Sequence, residues 1–251
     1  MDIVVSIKSL AFTYQNAKEP SIRGINGEIG DGEFLMIMGH GGAGKSTLCC
    51  AMNGIVPRFY NGEYSGNVFI AGKQTTQYNP SDMAKRVGLV LQDFEAQLFS
   101  TNVELEIAFG LENIGLPSVE INRRIDRYLD LIGLNGMRKV DIYTLSGGQK
   151  QRLLLARALA GDPDILLLDD SSSALDYKTD SKLREGIRLH CADATKIIIA
   201  QRVSSIENAD QIIVLDEGKI MGVGTSEELL ATNEIYREVY ESQIKGGEDD
   251  E

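Results

Sequence analysis

The sequence predicts an α/β fold with a largely parallel sheet at its core. Short apolar runs that are typical of buried strands alternate with helical patterns along the chain, which is the order that βαβ units produce. The chain has 251 residues, of which 43% are hydrophobic and 25% are charged. This composition is sufficient for one domain, or for one domain with a subdomain.

The first third of the chain contains clear strand and turn signals. Alternation and β-branched residues predict an edge strand over residues 3–14. The segment GEIGDGEFLMIMG predicts a turn followed by a buried strand over residues 34–38. A helix is expected over residues 46–53, and the segments GNVFIAGK and VGLVLQD predict two more short strands.

The remainder of the chain is helical at first and then alternates again. Residues 103–136 and 150–160 have helical patterns, and we interpret the block over about 93–164 as a helical lobe inserted in a domain that spans 1–244. The acidic tail, 245–251, is expected to be disordered. The later elements are predicted as strands over 165–168, 196–200, 211–216 and 219–224 and as helices over 178–190 and 203–208.

A last helix is predicted to begin near Ser226. Thr225 is expected to be its N-cap, and Glu228 lies three residues further on. This spacing is the capping-box pattern, in which each side chain binds the backbone N–H of the other residue.

The bulk composition excludes some classes of protein. The net charge is −12 and the isoelectric point is about 4.7, which argues against a nucleic-acid-binding role. No signal peptide opens the sequence, and no apolar run approaches the ~18–20 residues of a membrane span, so any membrane part is expected to come from other chains. Cys49, Cys50 and Cys191 fit no metal spacing and indicate reduced thiols in the cytosol.

Residues 39–47 read GHGGAGKST and match the pattern G-x-x-x-x-G-K-[ST]. The match follows a predicted strand and opens a predicted helix, where glycines let backbone N–H groups surround phosphate oxygens at the helix N-terminus. Lys45 can reach the β- and γ-phosphates of a nucleotide, and the Ser46 hydroxyl can bind Mg²⁺. The predicted phosphate-binding residues are Gly39, His40, Gly41, Gly42, Ala43, Gly44, Lys45, Ser46 and Thr47.

His40 occupies a variable position of this pattern. A histidine there could take part in acid–base chemistry, but a solvated loop residue is the expected interpretation.

Two adjacent carboxylates follow the buried strand ILLLDD. A strand-end aspartate beside a phosphate loop holds Mg²⁺ through water, and Asp169 is the predicted residue. Side chains of adjacent strand residues point in opposite directions, so Asp170 is not expected to do the same work as Asp169.

Residues 145–149 read LSGGQ and are followed by KQRLLLARALAGDPDILLLDD. With these residues the chain resembles the ATP-binding subunits of ABC transporters over nearly its whole length. The resemblance implies a P-loop NTPase fold of the ABC type, with a parallel-sheet core, an antiparallel β subdomain and an inserted helical lobe. It also implies ATP and Mg²⁺ as cofactors, a second ATPase subunit and a transmembrane subunit as partners, and a place on the cytoplasmic face of the cell membrane.

The resemblance also implies roles for individual residues. Two subunits would dock head to tail, and the γ-phosphate bound on the opposite subunit would contact Ser146, Gly147, Gly148 and Gln149. A glycine- and serine-rich helix start is also suited to anions on chemical grounds. Tyr14 would stack on adenine, and Gln92 would contact Mg²⁺ and the attacking water.

Two positions depart from the family pattern. Asp170 stands where the family usually has a glutamate that polarises the attacking water, and Gln201 stands where it usually has a histidine. The departures suggest slow hydrolysis, because the aspartate is shorter and a glutamine cannot carry a positive charge.

The resemblance is to two branches of the family. The segments NGIVPRF and LVLQDFEAQLFSTNVELEIAFGLENIGLP resemble the stand-alone ATPases of energy-coupling factor importers for vitamins and metal ions. The last third, with DDSSSALD and TKIIIAQRVSSIENADQIIVLDEGKIMGVGTSEELL, resembles ATPase domains of exporters, especially degenerate ones. A chimeric, designed or reconstructed origin would explain this mixture.

We therefore expect an ATPase subunit that powers a membrane transporter through ATP-driven dimerisation. The alternatives are an exporter ATPase domain separated from its membrane domain and a nucleotide-gated subunit that binds ATP but barely hydrolyses it. A soluble DNA-repair or translation protein of the same fold is disfavoured. The chain lacks the long coiled coil of the former, the second cassette of the latter and a basic composition.

Overall fold

The computed structural model describes residues 2–169, 193–199 and 209–247, with side chains described as far as residue 242. The chain divides into two compact units, one of residues 1–79 and 195–251 and the other of residues 80–194. The helices predicted over 178–190 and 203–208 lie outside the described residues, as do Asp170 and Gln201.

The first unit contains an antiparallel sheet near the start of the chain. Strand β1 (Ile3–Tyr14) lies between β2 (Ile22–Gly30) and β4 (Gly62–Ile70), and β5 (Lys73–Gln74) continues the sheet beyond β4. The predicted strand over 3–14 is therefore present, but its assignment to a sheet edge is wrong. Alternating burial indicates which face is covered and does not indicate how many strands pair with the backbone.

The first unit also contains parallel strands. Strand β3 (Phe34–Met38) pairs in parallel with both β8 (Thr195–Ile199) and β9 (Gln211–Asp216), and β10 (Lys219–Gly224) forms an antiparallel hairpin with β9. These strands are almost entirely buried except for β10, as expected for strands covered on both faces.

The described residues of the first unit form the helices α1 (Lys45–Met52), α2 (Ile55–Arg58), α7 (Ser226–Thr232) and α8 (Glu234–Gly247). The predicted capping box of α7 is confirmed, because Thr225 Oγ1 accepts the Glu228 N–H and Glu228 Oε2 accepts the Thr225 N–H. The helix ends at Thr232, and α8 then starts with the Asn233 side chain accepting the Tyr236 N–H at 2.9 Å.

The part of the second unit that the structure describes, residues 80–169 and 193–194, contains two parallel strands and four α-helices. Strand β6 (Val87–Val90) pairs with β7 (Ile165–Asp169), and helix α3 (Pro80–Arg86) precedes them. Helices α4 (Val103–Asn113), α5 (Ser118–Leu131) and α6 (Gly147–Ala160) pack on one another through apolar side chains such as Ile107, Ile125 and Leu153. Helix α6 begins three residues before the predicted start.

The predicted α/β class, with parallel strands, an antiparallel sheet and a helical region, is confirmed. No helix in the described part of the chain is both long enough and apolar enough to cross a membrane.

Candidate nucleotide-binding site

The predicted phosphate loop connects β3 to the N-terminus of α1. Gly44 caps α1 with φ 98°, and Gly39 opens the loop with φ 143°. A Cβ atom on Gly39 would lie 1.8 Å from the Leu215 carbonyl oxygen, and one on Gly44 would lie 2.2 Å from the Ser21 carbonyl oxygen. Glycine is therefore required at both positions for two reasons, the left-handed backbone and the close approach of another main chain.

The middle of the loop is open, in contrast to its two crowded ends. A Cβ atom on Gly41 or Gly42 would meet no other atom within 4 Å. The loop is held by backbone hydrogen bonds from Ala43 to His40 at 3.2 Å and from Gly218 to Ala43 at 3.1 Å. Because the open side has no side chains and the first N–H groups of a helix have no partners within it, the loop fits a polyphosphate.

Lys45 places a positive charge at this loop. Its ammonium group donates hydrogen bonds to the carbonyl oxygens of Gly39 at 2.9 Å and His40 at 2.8 Å. These bonds bend the side chain back over the loop, so the charge lies beside the open backbone and adds to the partial positive charge at the N-terminus of α1.

His40 lies on the rim of the loop and faces two carboxylates. Its Nδ1 atom lies 3.4 Å from Asp216 Oδ1, and its Nε2 atom lies 4.0 Å from Glu238 Oε2. The side chain is half-exposed, in agreement with the expected solvated loop position.

Tyr14, at the end of β1, is held next to the phosphate-loop helix. Its hydroxyl lies 3.2 Å from Thr47 Oγ1, and burial raises its pKa above the ordinary value for tyrosine. Its ring makes edge contacts with Phe12, at 4.8 Å between centroids, and with Tyr60, at 5.7 Å.

An open cleft of about 680 Å³ lies beside Tyr14, between residues 15–18 and residues 61–63. The resemblance indicated Tyr14, whereas Tyr60 was not predicted from the sequence. The two meet because Tyr14 pairs with Gly62 across β1 and β4, a long-range register that the local pattern does not contain.

The predicted LSGGQ cradle lies in the second unit, at the N-terminus of α6. Ser146 Oγ accepts the N–H of Gln149 at 3.3 Å, and Gln149 Oε1 accepts the N–H of Ser146 at 2.8 Å. This capping box leaves the N–H groups of Gly147 and Gly148 at the helix start, where they point toward an anion in such motifs. The capping box uses the Ser146 oxygen only as an acceptor, so the hydroxyl proton can still be donated to an anion.

The other predicted site residues of the second unit lie at strand ends. Asp169 is the last residue of β7 and is only 2% exposed, whereas Gln92 follows β6 and is exposed. A buried aspartate at a strand end and an exposed amide oxygen are both oxygen ligands of the kind that Mg²⁺ prefers. The predicted catalytic residues Asp170 and Gln201 lie outside the residues that the structure describes.

The crowding at Gly39 can be tested by alanine substitution. We expect Gly39→Ala to lower the free energy of unfolding by about 2–4 kcal/mol, because the new Cβ atom overlaps the Leu215 carbonyl and the backbone is left-handed. The matched control is Gly41→Ala, which should change it by no more than about 0.5 kcal/mol. Urea denaturation without nucleotide measures both values, and equal losses would contradict the described loop geometry.

Comparison with known proteins identifies the family. The model of the family described as ABC transporter matches residues 22–173. The chain is 43% identical over 246 residues to a protein of Caldanaerobacter subterraneus subsp. tengcongensis, covering 95% of this chain and 42% of that protein. It is 37% identical over 239 residues to a Pyrococcus abyssi protein, covering 94% of this chain and 85% of that protein. Both relatives are named as candidate ABC transporter ATP-binding proteins.

A solved structure gives a consistent result. The chain superposes with a TM-score of 0.81 on a bacterial Atm1-family ABC exporter with ATP bound, at 29% identity, covering 96% of this chain and 42% of that chain. The chain thus spans less than half the length of that exporter and of the Caldanaerobacter relative. The matched segment includes the phosphate loop, the LSGGQ cradle and Asp169. The chain belongs to the ABC transporter family, as one of its ATP-binding domains.

Proposed function

We propose that this chain binds and hydrolyses ATP to power a membrane transporter, through dimerisation that ATP drives. The phosphate loop carries the proposal. Gly39 and Gly44 allow a tight turn, the open backbone at Gly41 and Gly42 has the shape of a phosphate cradle, and Lys45 supplies a charge. The resemblance of the first two-thirds of the sequence leads us to assign the transporter to the energy-coupling factor type.

We assign roles to the other predicted residues within this proposal. Tyr14 would stack on adenine, and the Ser46 hydroxyl, Gln92 and Asp169 would serve as oxygen ligands of Mg²⁺. The bound Mg²⁺ would neutralise developing charge on the phosphates. Asp170 would orient the attacking water, and Gln201 would hydrogen-bond the γ-phosphate.

The proposed dimer uses the second anion-binding helix start. Ser146, Gly147 and Gly148 would contact the γ-phosphate of ATP that is bound to the partner subunit. The capped start of α6 supports this role, because Gly147 and Gly148 have no side chains that would block an anion from their backbone N–H groups. Only ATP carries a γ-phosphate, so ATP and not ADP would favour the dimer.

The exporter-type alternative also has support. The last third of the sequence resembles exporter domains, and the solved structure described above is an exporter with ATP bound. A chain that combines two branches of the family, or a degenerate subunit gated by nucleotide, would bind ATP at the same loop and hydrolyse it slowly. Under each alternative the chain would work on the cytoplasmic face of the membrane.

Lysine removal tests ATP binding. We expect Lys45→Ala to weaken the affinity for Mg-ATP by about 10- to 100-fold, because charge-assisted bonds to the β- and γ-phosphates are lost. Isothermal titration calorimetry measures the affinity, and the exposed Lys73 on β5 provides a matched control in Lys73→Ala. Unchanged affinity in the Lys45 variant would refute the assignment of the phosphate loop.

Restoring the usual family residues tests the hydrolysis step. We expect Asp170→Glu combined with Gln201→His to raise the turnover of ATP by about 10- to 100-fold. The added methylene extends the carboxylate by about 1.5 Å toward water, and histidine can carry a positive charge. Phosphate release measures turnover, and Asp169→Asn is expected to lower it. A native chain that is as fast as the double variant would show that the shorter aspartate is a working base.

An exposed apolar surface in the second unit is a candidate contact for the membrane subunit. Phe94 and Leu98, in the segment that follows β6, are only partly exposed. The structure exposes instead Phe99, Leu105 and Phe109 by 54%, 47% and 47%, and the rings of Phe99 and Phe109 meet edge to face at 4.6 Å. We propose that a short helix of the transmembrane subunit docks on this aromatic patch, defined as Phe99, Leu105 and Phe109.

A charged residue in the aromatic patch should uncouple the subunits. We expect Phe109→Asp to weaken binding to the transmembrane subunit at least about tenfold, with the ATP affinity of the free chain unchanged. Val119→Asp is the matched control, because Val119 is 83% exposed on α5 and outside the patch. Co-purification and transport in vesicles give the readout. Full binding by the Phe109 variant would exclude the patch as the docking site.

A further inference from the structure

Helix α4 contains a carboxylate that is fully withdrawn from solvent. Glu106 is 0% exposed, and its Oε2 atom accepts the backbone N–H groups of Phe99 at 3.3 Å and Ser100 at 3.0 Å. A buried charge is costly unless it is paired and hydrogen-bonded. Glu106 is therefore placed where it must hold the chain segment that precedes its own helix.

The pairing charge comes from α6. Arg157 Nη1 donates to Glu106 Oε1 at 2.6 Å and to the backbone carbonyl of Gln97 at 2.7 Å. One guanidinium nitrogen thus joins three elements: helix α4, helix α6 and the segment between β6 and α4.

The same segment carries Gln92 on a closed turn. The Gln97 side chain donates to the carbonyls of Leu91 at 3.0 Å and Asp93 at 3.1 Å, so it closes the turn around Gln92. A second tie to α6 comes from Lys150, whose ammonium lies 2.8 Å from Glu95 Oε1. Lys150 is four residues beyond Ser146, in the first turn of the helix that the LSGGQ residues begin.

Stability alone does not account for a charged pair at this place. Apolar residues of similar volume often stabilise a helix contact as well as a buried ion pair does, or better. They could pack α4 on α6, but they could not accept the Phe99 and Ser100 N–H groups or bind the Gln97 carbonyl. The charged pair is suited to holding a loop by its backbone.

We propose that Glu106 and Arg157 are positioning residues that fix the segment 91–100 to helix α6, so that Gln92 and the LSGGQ residues move as one body. The inference rests on the proposed function, in which Gln92 serves the ATP of its own subunit and Ser146 the ATP of the partner. The Phe99 backbone N–H, in the aromatic patch, donates a hydrogen bond to Glu106. The Glu106–Arg157 pair therefore also connects the proposed docking surface to α6.

Hydrogen exchange of the folded protein, measured by mass spectrometry, tests whether the segment 91–100 and the LSGGQ residues move together. Glu106→Gln keeps the side-chain size and removes the charge, so exchange of residues 97–100 should be about tenfold faster. Residues 146–149 should also exchange faster, whereas α1 in the first unit should be unchanged. Faster exchange confined to 97–100, or no change in either segment, would overturn the proposal.

The kinetic readout separates positioning from folding. Turnover of ATP should fall by about 10- to 100-fold in Glu106→Gln, while the affinity for Mg-ATP stays within about twofold. Arg157→Lys, which keeps the buried Glu106 carboxylate paired with a positive charge, should lower turnover less than Glu106→Gln does. It also supplies the exchange comparison if the Glu106 variant does not fold. Unchanged turnover in a folded variant would also overturn the proposal.

A matched control uses an exposed ion pair of the same unit. Arg86→Met removes the 2.8 Å pair between Arg86 and Asp164, and it should leave both exchange and turnover unchanged. A native chain without ATP turnover would refute the proposed function, and the exchange comparison would still decide whether Glu106 and Arg157 join the two segments.

Discussion

The phosphate loop depends on two places where its backbone touches another backbone. Gly39 lies against the Leu215 carbonyl of β9, and Gly44 lies against the Ser21 carbonyl just before β2. A hydrogen bond from Gly218 to Ala43 adds a third contact from the β9–β10 turn. No side chain fits at Gly39 or Gly44, which restricts the path of the loop from β3 to α1. The backbone at Gly41 and Gly42, between these two positions, remains open.

The described residues contain two helix starts that we propose as anion-binding sites, and each is supported differently. At α1 the support is a charge, because Lys45 folds over the loop onto the Gly39 and His40 carbonyls. At α6 it is a capping box between Ser146 and Gln149. A lysine contact stabilises a phosphate through a point charge, whereas a capped helix start adds fixed N–H geometry. This difference agrees with the proposal that ATP binds to one subunit and contacts the LSGGQ residues of a second.

In the second unit a buried ion pair fixes an irregular segment, whereas in the first unit glycines at close backbone contacts do so. The Glu106 carboxylate and the Arg157 guanidinium hold a loop by its backbone atoms, and Gln97 closes that loop around Gln92. Both arrangements fix irregular chain segments that carry proposed site residues. In each case the irregular segment is anchored on a regular element, which keeps the functional atoms in place without a helix or strand of their own.

Local sequence determined the elements and the chemistry of the site. The phosphate loop, the capping box at Thr225 and strands such as 211–216 follow from short-range patterns, because turns, caps and strand alternation depend on a few neighbouring residues. Resemblance to a known family then supplied the roles proposed for Tyr14, Gln92 and the LSGGQ residues.

Tertiary structure decided what depends on partners far along the chain. The position of β1 between two strands, the contact of Tyr60 with Tyr14 and the burial of Glu106 could not be predicted from local patterns. A buried glutamate on a helix cannot be distinguished by local sequence from a solvated one. The pairing partner of Glu106 is Arg157, which lies 51 residues away. The exposure of Phe99, Leu105 and Phe109 was also decided by tertiary packing, since an apolar residue is expected in the core unless the packing of other elements leaves it uncovered.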